Sequence, residues 1–288
     1  MRTTLQALEA VFGSSRPALA FSGGCDSQVL AHLTYTMTPY RPPLFVVDTG
    51  LMPPGEIAEA QDFAVALGAD LHIAHPDRDP LTQWQAQGWP VLGPLPARKW
   101  TAKHKHLGVR LNCEACCGRL KIMPGRKLTR ALGCNAQLTG LRASDDDQRA
   151  HQISKRGHDY MVQGLRIVHP LAHWTDLMVR RYRRMYNLPD PKSMEQGQTS
   201  SGCDVCAGAW RYWGNALADA RKHYPERWWW FVVKCGAWLP LLVVRTGKPV
   251  AAVKMAVERL GGPEQVATTF PNAFDYAQAK PLRTYAKT

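Results

Sequence analysis

Apolar residues in the first half of the chain fall into short unbroken runs separated by stretches of helical spacing. The runs are Ala18 to Phe21, Leu44 to Asp48 (LFVVD) and Asp70 to His75 (DLHIAH). Runs this short, rich in β-branched residues and bounded by turn formers, predict strands buried on both faces. Between them, residues 3–12, Asp26 to Met37 and Glu56 to Leu67 carry a helical pattern, the last stopped by Gly68. A strand–helix–strand–helix–strand order predicts parallel crossovers and an α/β fold with a doubly wound, mainly parallel sheet.

The pattern loosens after that. Residues 76–110 are polar with scattered Trp and Pro, and are expected to form a surface excursion with short helices. Cys113 to Leu132 reads as helical with a break near Pro124-Gly125. Asn135 to Leu141 and Arg166 to Leu171 read as strands, and Asp145 to His151 as a polar loop. Thr175 to Tyr186 reads as a helix with Thr175 as its N-cap. Asp190 to Gly202 is a linker, and roughly 204–222, 225–237 and 249–260 are helical. The expected organisation is an α/β domain over 1–195 and a mostly helical C-terminal region over 196–288 packed on it.

Charge changes the picture. The 288 residues contain 36 Lys and Arg against 23 Asp and Glu, a net charge of +13. This fits a polyanionic partner such as a nucleotide or nucleic acid. The N-terminal MRTTLQALEAVFG lacks the features of a signal peptide, and the apolar run Ala237 to Val244 is too short to span a bilayer. A cytoplasmic protein without membrane association is the expectation, and there clustered cysteines point to metal or catalysis rather than disulfides.

Two constellations carry chemistry. The first is FSGGCDS, Phe21 to Ser27, placed where the first strand turns into a helix. Paired glycines let backbone N–H groups approach a ligand closely, and the helix N-terminus adds to an anion nest. Ser22 and Ser27 can add hydroxyl donors, so the loop reads as a phosphate cradle. It matches neither G-x-x-x-x-G-K-[ST] nor G-x-G-x-x-G. The second is Cys113-Glu-Ala-Cys116-Cys117 with Cys203-Asp-Val-Cys206. Cys113, Cys116, Cys203 and Cys206 form two C-x-x-C knuckles suited to zinc. Cys116, Cys117, Cys203 and Cys206 form a C-C…C-x-x-C set suited to an iron–sulfur cluster. Cys134 and Cys235 stand alone in apolar surroundings and read as core residues.

The loop resembles the S-G-G-x-D-S loop of the PP-loop ATP pyrophosphatases, the adenine nucleotide α-hydrolase-like superfamily. Downstream, VVDTGLMPPGE (Val46 to Glu56), LTGLRASDDDQRA (Leu138 to Ala150) and VHPLAHWTDLMV (Val168 to Val179) are similar, in order, to segments of the phosphoadenylylsulfate reductase family. The resemblance implies that Ser22, Gly23, Gly24, Asp26 and Ser27 hold phosphates of an adenine nucleotide. By the same resemblance Asp48, Thr49 and Gly50 line the nucleotide, and Gly140 and Arg142 close the site. The position of Cys25 varies in that superfamily, which argues against a nucleophile there. The set Cys116, Cys117, Cys203 and Cys206 resembles the [4Fe–4S] ligands of the adenylylsulfate reductase branch, with Arg119 and Lys121 as the basic residues beside it.

The pattern also departs from that family. Its reductases carry a catalytic cysteine in an E-C-G-L/I-H segment, whereas FDYAQAKPLRTYAKT (Phe274 to Thr288) has no cysteine and Cys235 lies in the apolar VVKCGAW. An intact S-G-G-x-D-S loop points instead to ATP, with Mg²⁺, cleaved to AMP and pyrophosphate. That would activate an acceptor for sulfur transfer, such as nucleic-acid thiolation or phosphorothioation, with a cysteine desulfurase as sulfur donor. Asp26, Arg119, Lys121 and Arg142 are the expected catalytic residues. A sulfonucleotide reductase, and a non-catalytic nucleic-acid-binding accessory protein with a structural metal site, are the alternatives. ARKWTAKHKH (Ala97 to His106) and RRYRR (180–184) are the candidate polymer-binding segments, and the Trp228 to Trp230 run cannot face one side only.

Overall fold

The computed structural model describes residues 1–91, 97–145, 147–191, 203 and 216–274. By compactness the chain forms two units, Met1–Asp77 with Arg119–Ser201, and Arg78–Gly118 with Gly202–Thr288.

The first unit is the predicted α/β layer. It runs α1 (Arg2–Phe12), β1 (Pro17–Ala20), α2 (Cys25–Met37), β2 (Leu44–Val47), α3 (Glu56–Leu67) and β3 (Leu71–Ala74). After the excursion come α7 (Met123–Ala131), β4 (Ala136–Leu138), α8 (Asp147–Arg156), β5 (Asp159–Val162), β6 (Leu165–Val168) and α9 (Asp176–Met185). The sheet order is β3-β2-β1-β4-β6-β5. All pairings are parallel except β5 with β6. Strand order therefore reverses between β1 and β4, and open α/β sheets bind ligands at the carboxyl ends of strands at such a switch point.

Side-chain alternation along the strands builds two cores. Leu19 and Leu44 point into a large cluster with Leu30 and Leu33 of α2, Phe63 of α3 and Val179 and Tyr182 of α9. Their neighbours Ala18, Phe45 and Val47 point into a second cluster, with Leu128 of α7 packed against it. Each fully buried Leu or Phe contributes about 1.5–3 kcal/mol. Gly125 explains why Pro124-Gly125 does not break the helix: a Cβ there would lie 2.9 Å from the Phe45 ring, so the glycine lets α7 lie close on β2. Pro124 occupies the first turn of α7, where a missing N–H costs nothing, and the irregularity is a π-helical turn at Gly118–Ile122.

Two further expectations change. The segment read as a polar loop, Asp145 to His151, is largely helical, because α8 starts at Asp147. The strand β5 was not anticipated; it is joined to β6 by Gln163 and Gly164, both at positive φ (49° and 73°), the primed two-residue hairpin geometry. Thr175 does cap α9, its hydroxyl accepting the Met178 N–H at 3.4 Å.

The second unit holds α4 (Pro80–Gln87), α5 (Ala97–Lys103) and α6 (Cys113–Cys117), then helices at Ala216–His223, Pro225–Trp229, Trp238–Thr246, Val250–Arg259 and Pro263–Thr269. Residues 76–110 are less of a surface excursion than expected, since Trp84, Val91, Trp100 and Leu107 are buried. Trp84 packs edge-on against Phe231 at 5.3 Å. The tryptophan run splits as its spacing demands: Trp228 is buried, Trp229 half-buried and Trp230 exposed. Among the described residues no helix is long and apolar enough to cross a membrane.

Candidate active site

At the end of β1 the chain turns through Gly23, at φ +77°, and Gly24 at the N-cap of α2. A side chain at position 23 would strain that left-handed turn. The loop is braced from within. Ser27 Oγ donates to the Gly24 carbonyl (2.8 Å) and accepts the Ser22 N–H (3.2 Å), while the Gly24 N–H donates to Ser22 Oγ (3.4 Å). Ser27 is thus buried and structural, and the first-turn N–H groups of α2 supply the positive end for an anion.

The loop after β4 closes on this turn. Gly140 lies so close that a Cβ would sit 3.0 Å from the Asp26 carbonyl carbon and 3.1 Å from Ser27 N. Arg142, with 8% of its side chain exposed, faces three carboxylates: Asp26 through Nε (3.0 Å), Asp145 through NH2 (2.7 Å) and Asp176 through NH1 (2.8 Å). Asp145 also pairs with Arg149. Burial pushes the Asp26 carboxyl up to about 6, against the pull of Arg142, with Asp145 adding to the rise.

At the end of β2, Asp48 accepts the Gly50 N–H on Oδ1 (2.8 Å), with His75 at 3.9 Å from its other oxygen, and Thr49 is buried. Asp48, Thr49 and Gly50 therefore stand at a strand end beside the one that carries the glycine loop. Cys25 packs against the core, and burial raises its thiol despite the Arg183 charge nearby, which keeps it protonated. Arg119 and Lys121 are exposed on the π-helical turn and hold no ion pair among the described residues.

In the second unit Cys116 is buried, Cys117 exposed and Cys203 half-buried, and the Trp84 indole N–H donates to Cys116 Sγ (3.4 Å). Cys206 and the side chain of Cys113 lie outside the described residues, and among the described residues no group of three or more ligating side chains assembles. Cys134 and Cys235 are buried, as expected, and burial lifts the Cys235 thiol to about 11.

Two residues of the Arg142 cluster were missed by sequence reasoning: Asp145 and Asp176. Asp145 stands three residues after Arg142, a spacing that places carboxylate and guanidinium within reach. His169 is buried, with Nδ1 2.6 Å from Thr139 Oγ1, and Nε2 has no hydrogen-bond partner among the described residues. Burial lowers its imidazole from 6.5 to about 4.

The two shifts oppose each other in pH. As pH falls from about 6.5 towards 4, the unfolded chain protonates His169 before the folded one does, and stability drops. As pH falls from about 6 towards 3.8, the folded chain protonates Asp26 first, and stability rises. An Asp26→Asn variant removes the compensating gain. Between pH 7 and 4.5 it should lose on the order of 2 kcal/mol more than the wild type. Urea unfolding at both pH values checks this, and parallel losses in the two proteins would refute it.

Residues 16–209 match a family described as the phosphoadenosine phosphosulfate reductase domain. A phosphoadenosine 5'-phosphosulfate reductase of Xanthomonas axonopodis pv. citri is 30% identical over 197 residues, 66% of this chain and 70% of that one. An adenosine 5'-phosphosulfate reductase of Allochromatium vinosum is 29% identical over 217 residues, 73% of each chain. Among solved structures, a phosphoadenylyl-sulfate reductase from Candida auris aligns with TM-score 0.49 and 20% identity, over 70% of this chain and 87% of the other.

Proposed function

The chain belongs to the phosphoadenosine phosphosulfate reductase domain family, and from that premise we propose that it is an enzyme that cleaves ATP between the α and β phosphates. The observation that carries the proposal is the self-braced S-G-G-C-D-S turn at the sheet's switch point, held by Gly140 and Arg142. A nucleophilic oxygen of the acceptor would attack the α-phosphorus, pyrophosphate would leave, and the adenylated acceptor would then release AMP on attack by sulfur. Mg²⁺, arriving with ATP, would offset phosphate charge. The helix N-terminus and loop N–H groups would orient the phosphates, and Asp48 to Gly50 would line the nucleotide at the neighbouring strand end.

Cys116, Cys117, Cys203 and Cys206 would hold a [4Fe–4S] cluster, with zinc on Cys113, Cys116, Cys203 and Cys206 as the alternative. The Trp84 N–H on Cys116 sulfur supports a thiolate there, because such bonds stabilise charge on cluster sulfurs. A cysteine desulfurase would supply the sulfur.

The second reading is a sulfonucleotide reductase, favoured by the names of the relatives. It needs an activated thiol, and burial instead raises the thiols of Cys25, Cys134 and Cys235. α-Labelled ATP with Mg²⁺, with and without nucleic acid, separates the two. Labelled AMP supports ATP cleavage. Its absence, together with a cysteine that gains the mass of a sulfite from a sulfonucleotide, establishes the reductase.

Nucleic acid is the proposed acceptor. Residues 80–113 contain no Asp or Glu, and Arg98, Lys99, Lys103, Lys105 and Arg110 are all exposed. The buried Trp100 fixes α5 with Arg98, Lys99 and Lys103 facing solvent. Changing Lys99, Lys103 and Lys105 to Gln should lower the salt slope of duplex binding by roughly 2–3. An unchanged slope would place the polymer elsewhere.

A further inference from the structure

We propose that Arg142 is a positioning residue for Asp26 rather than a phosphate ligand, and that Asp145 and Asp176 are the residues that hold it in place. This deepens the nucleotide-cleaving reading and concerns the same site.

A guanidinium has five N–H groups in a planar fork. The two terminal nitrogens of Arg142 are taken, NH2 by Asp145 and NH1 by Asp176 and by Ser144 Oγ at 3.2 Å, while Nε lies 3.0 Å from Asp26 Oδ1 as an ion pair without hydrogen-bond geometry. A phosphate taking any of these positions would displace a carboxylate and face the other two at close range. The arrangement thus leaves Arg142 as a strut, and leaves the phosphates to the loop N–H groups and the start of α2.

The strut is itself anchored. Asp145 accepts the backbone N–H of Arg142 (3.2 Å) as well as its side chain, and pairs with Arg149. Ser144 Oγ donates to the Trp174 carbonyl (2.8 Å), just before the capped start of α9 that carries Asp176. The post-β4 loop therefore touches Asp26 twice, through Gly140 on its backbone and Arg142 on its side chain.

The test is a carbon-13 NMR titration of the Asp26 carboxyl in the full chain, with calorimetric binding of the α,β-methylene analogue of ATP. The groups facing Asp26 are Arg142, Asp145, Arg149 and the thiol of Cys25. Arg142→Gln should move the Asp26 midpoint up by about one pH unit or more. Asp145→Asn should move it down. Asp176→Asn, at an exposed position that tolerates change, should also move it down, because Arg142 then shares its charge with two carboxylates instead of three. Analogue affinity in Arg142→Gln should stay within about threefold of wild type. Unmoved midpoints in all three variants, or an affinity loss of about tenfold in Arg142→Gln, overturn the assignment. Failure of the wild type to bind the analogue would count against the nucleotide reading and leave the titration to judge the strut.

Discussion

Gly140→Ala is expected to destabilise the protein by ~1–3 kcal/mol and, where α2 is the element that shifts, to weaken nucleotide binding. The new methyl carbon would meet the Asp26 carbonyl carbon at 3.0 Å, its oxygen at 3.1 Å and Ser27 N at 3.1 Å. These are backbone atoms on the first turn of α2, so no rotamer change relieves the contact. Either the post-β4 loop backs away, which pulls Arg142 off Asp26, or α2 shifts and opens the braced Ser22–Ser27 turn. The second route opens the turn to which the proposed reading assigns the phosphates. Thermal unfolding and analogue calorimetry on the variant measure the two effects. A variant with wild-type melting temperature and wild-type affinity would mean that the two loops do not meet as described.

The second large effect is Asp26→Asn. AMP formation should fall by about 10²-fold, the scale expected when a bound reactant is misplaced by an ångström. Folding should not suffer at neutral pH. The Asp26 carboxyl is raised to about 6 by burial, so its charge opposes folding above that pH. A neutral amide of the same shape removes the opposition, and stability at pH 7.5 should be unchanged or higher by on the order of 1–3 kcal/mol. Lost activity with retained stability is the signature of a residue kept for chemistry at a cost in stability. Wild-type AMP formation in the variant would remove Asp26 from the mechanism. Equal loss of activity and stability would reduce it to a structural residue.

The amino-acid sequence by itself determined the alternating α/β layer. Its strands are short apolar runs and its helices carry their own stops, so local pattern and final structure agree from α1 to β3. The tight glycine turn between β1 and α2 was equally legible, because two adjacent glycines there let the backbone reverse closely, and Gly23 is indeed left-handed. The tertiary structure alone decided how the site is closed. Gly140 and Asp26 are far apart in sequence, and only the pairing of β1 with β4 brings them into contact. The three-carboxylate engagement of Arg142 joins residues from α2, the post-β4 loop and α9, and no local periodicity records such a meeting. The burial of Trp84 and Trp100 was hidden for the same reason. A polar, Pro-bearing segment exposes its tryptophans unless other elements cover them, and here the unit formed with residues 202–288 does so.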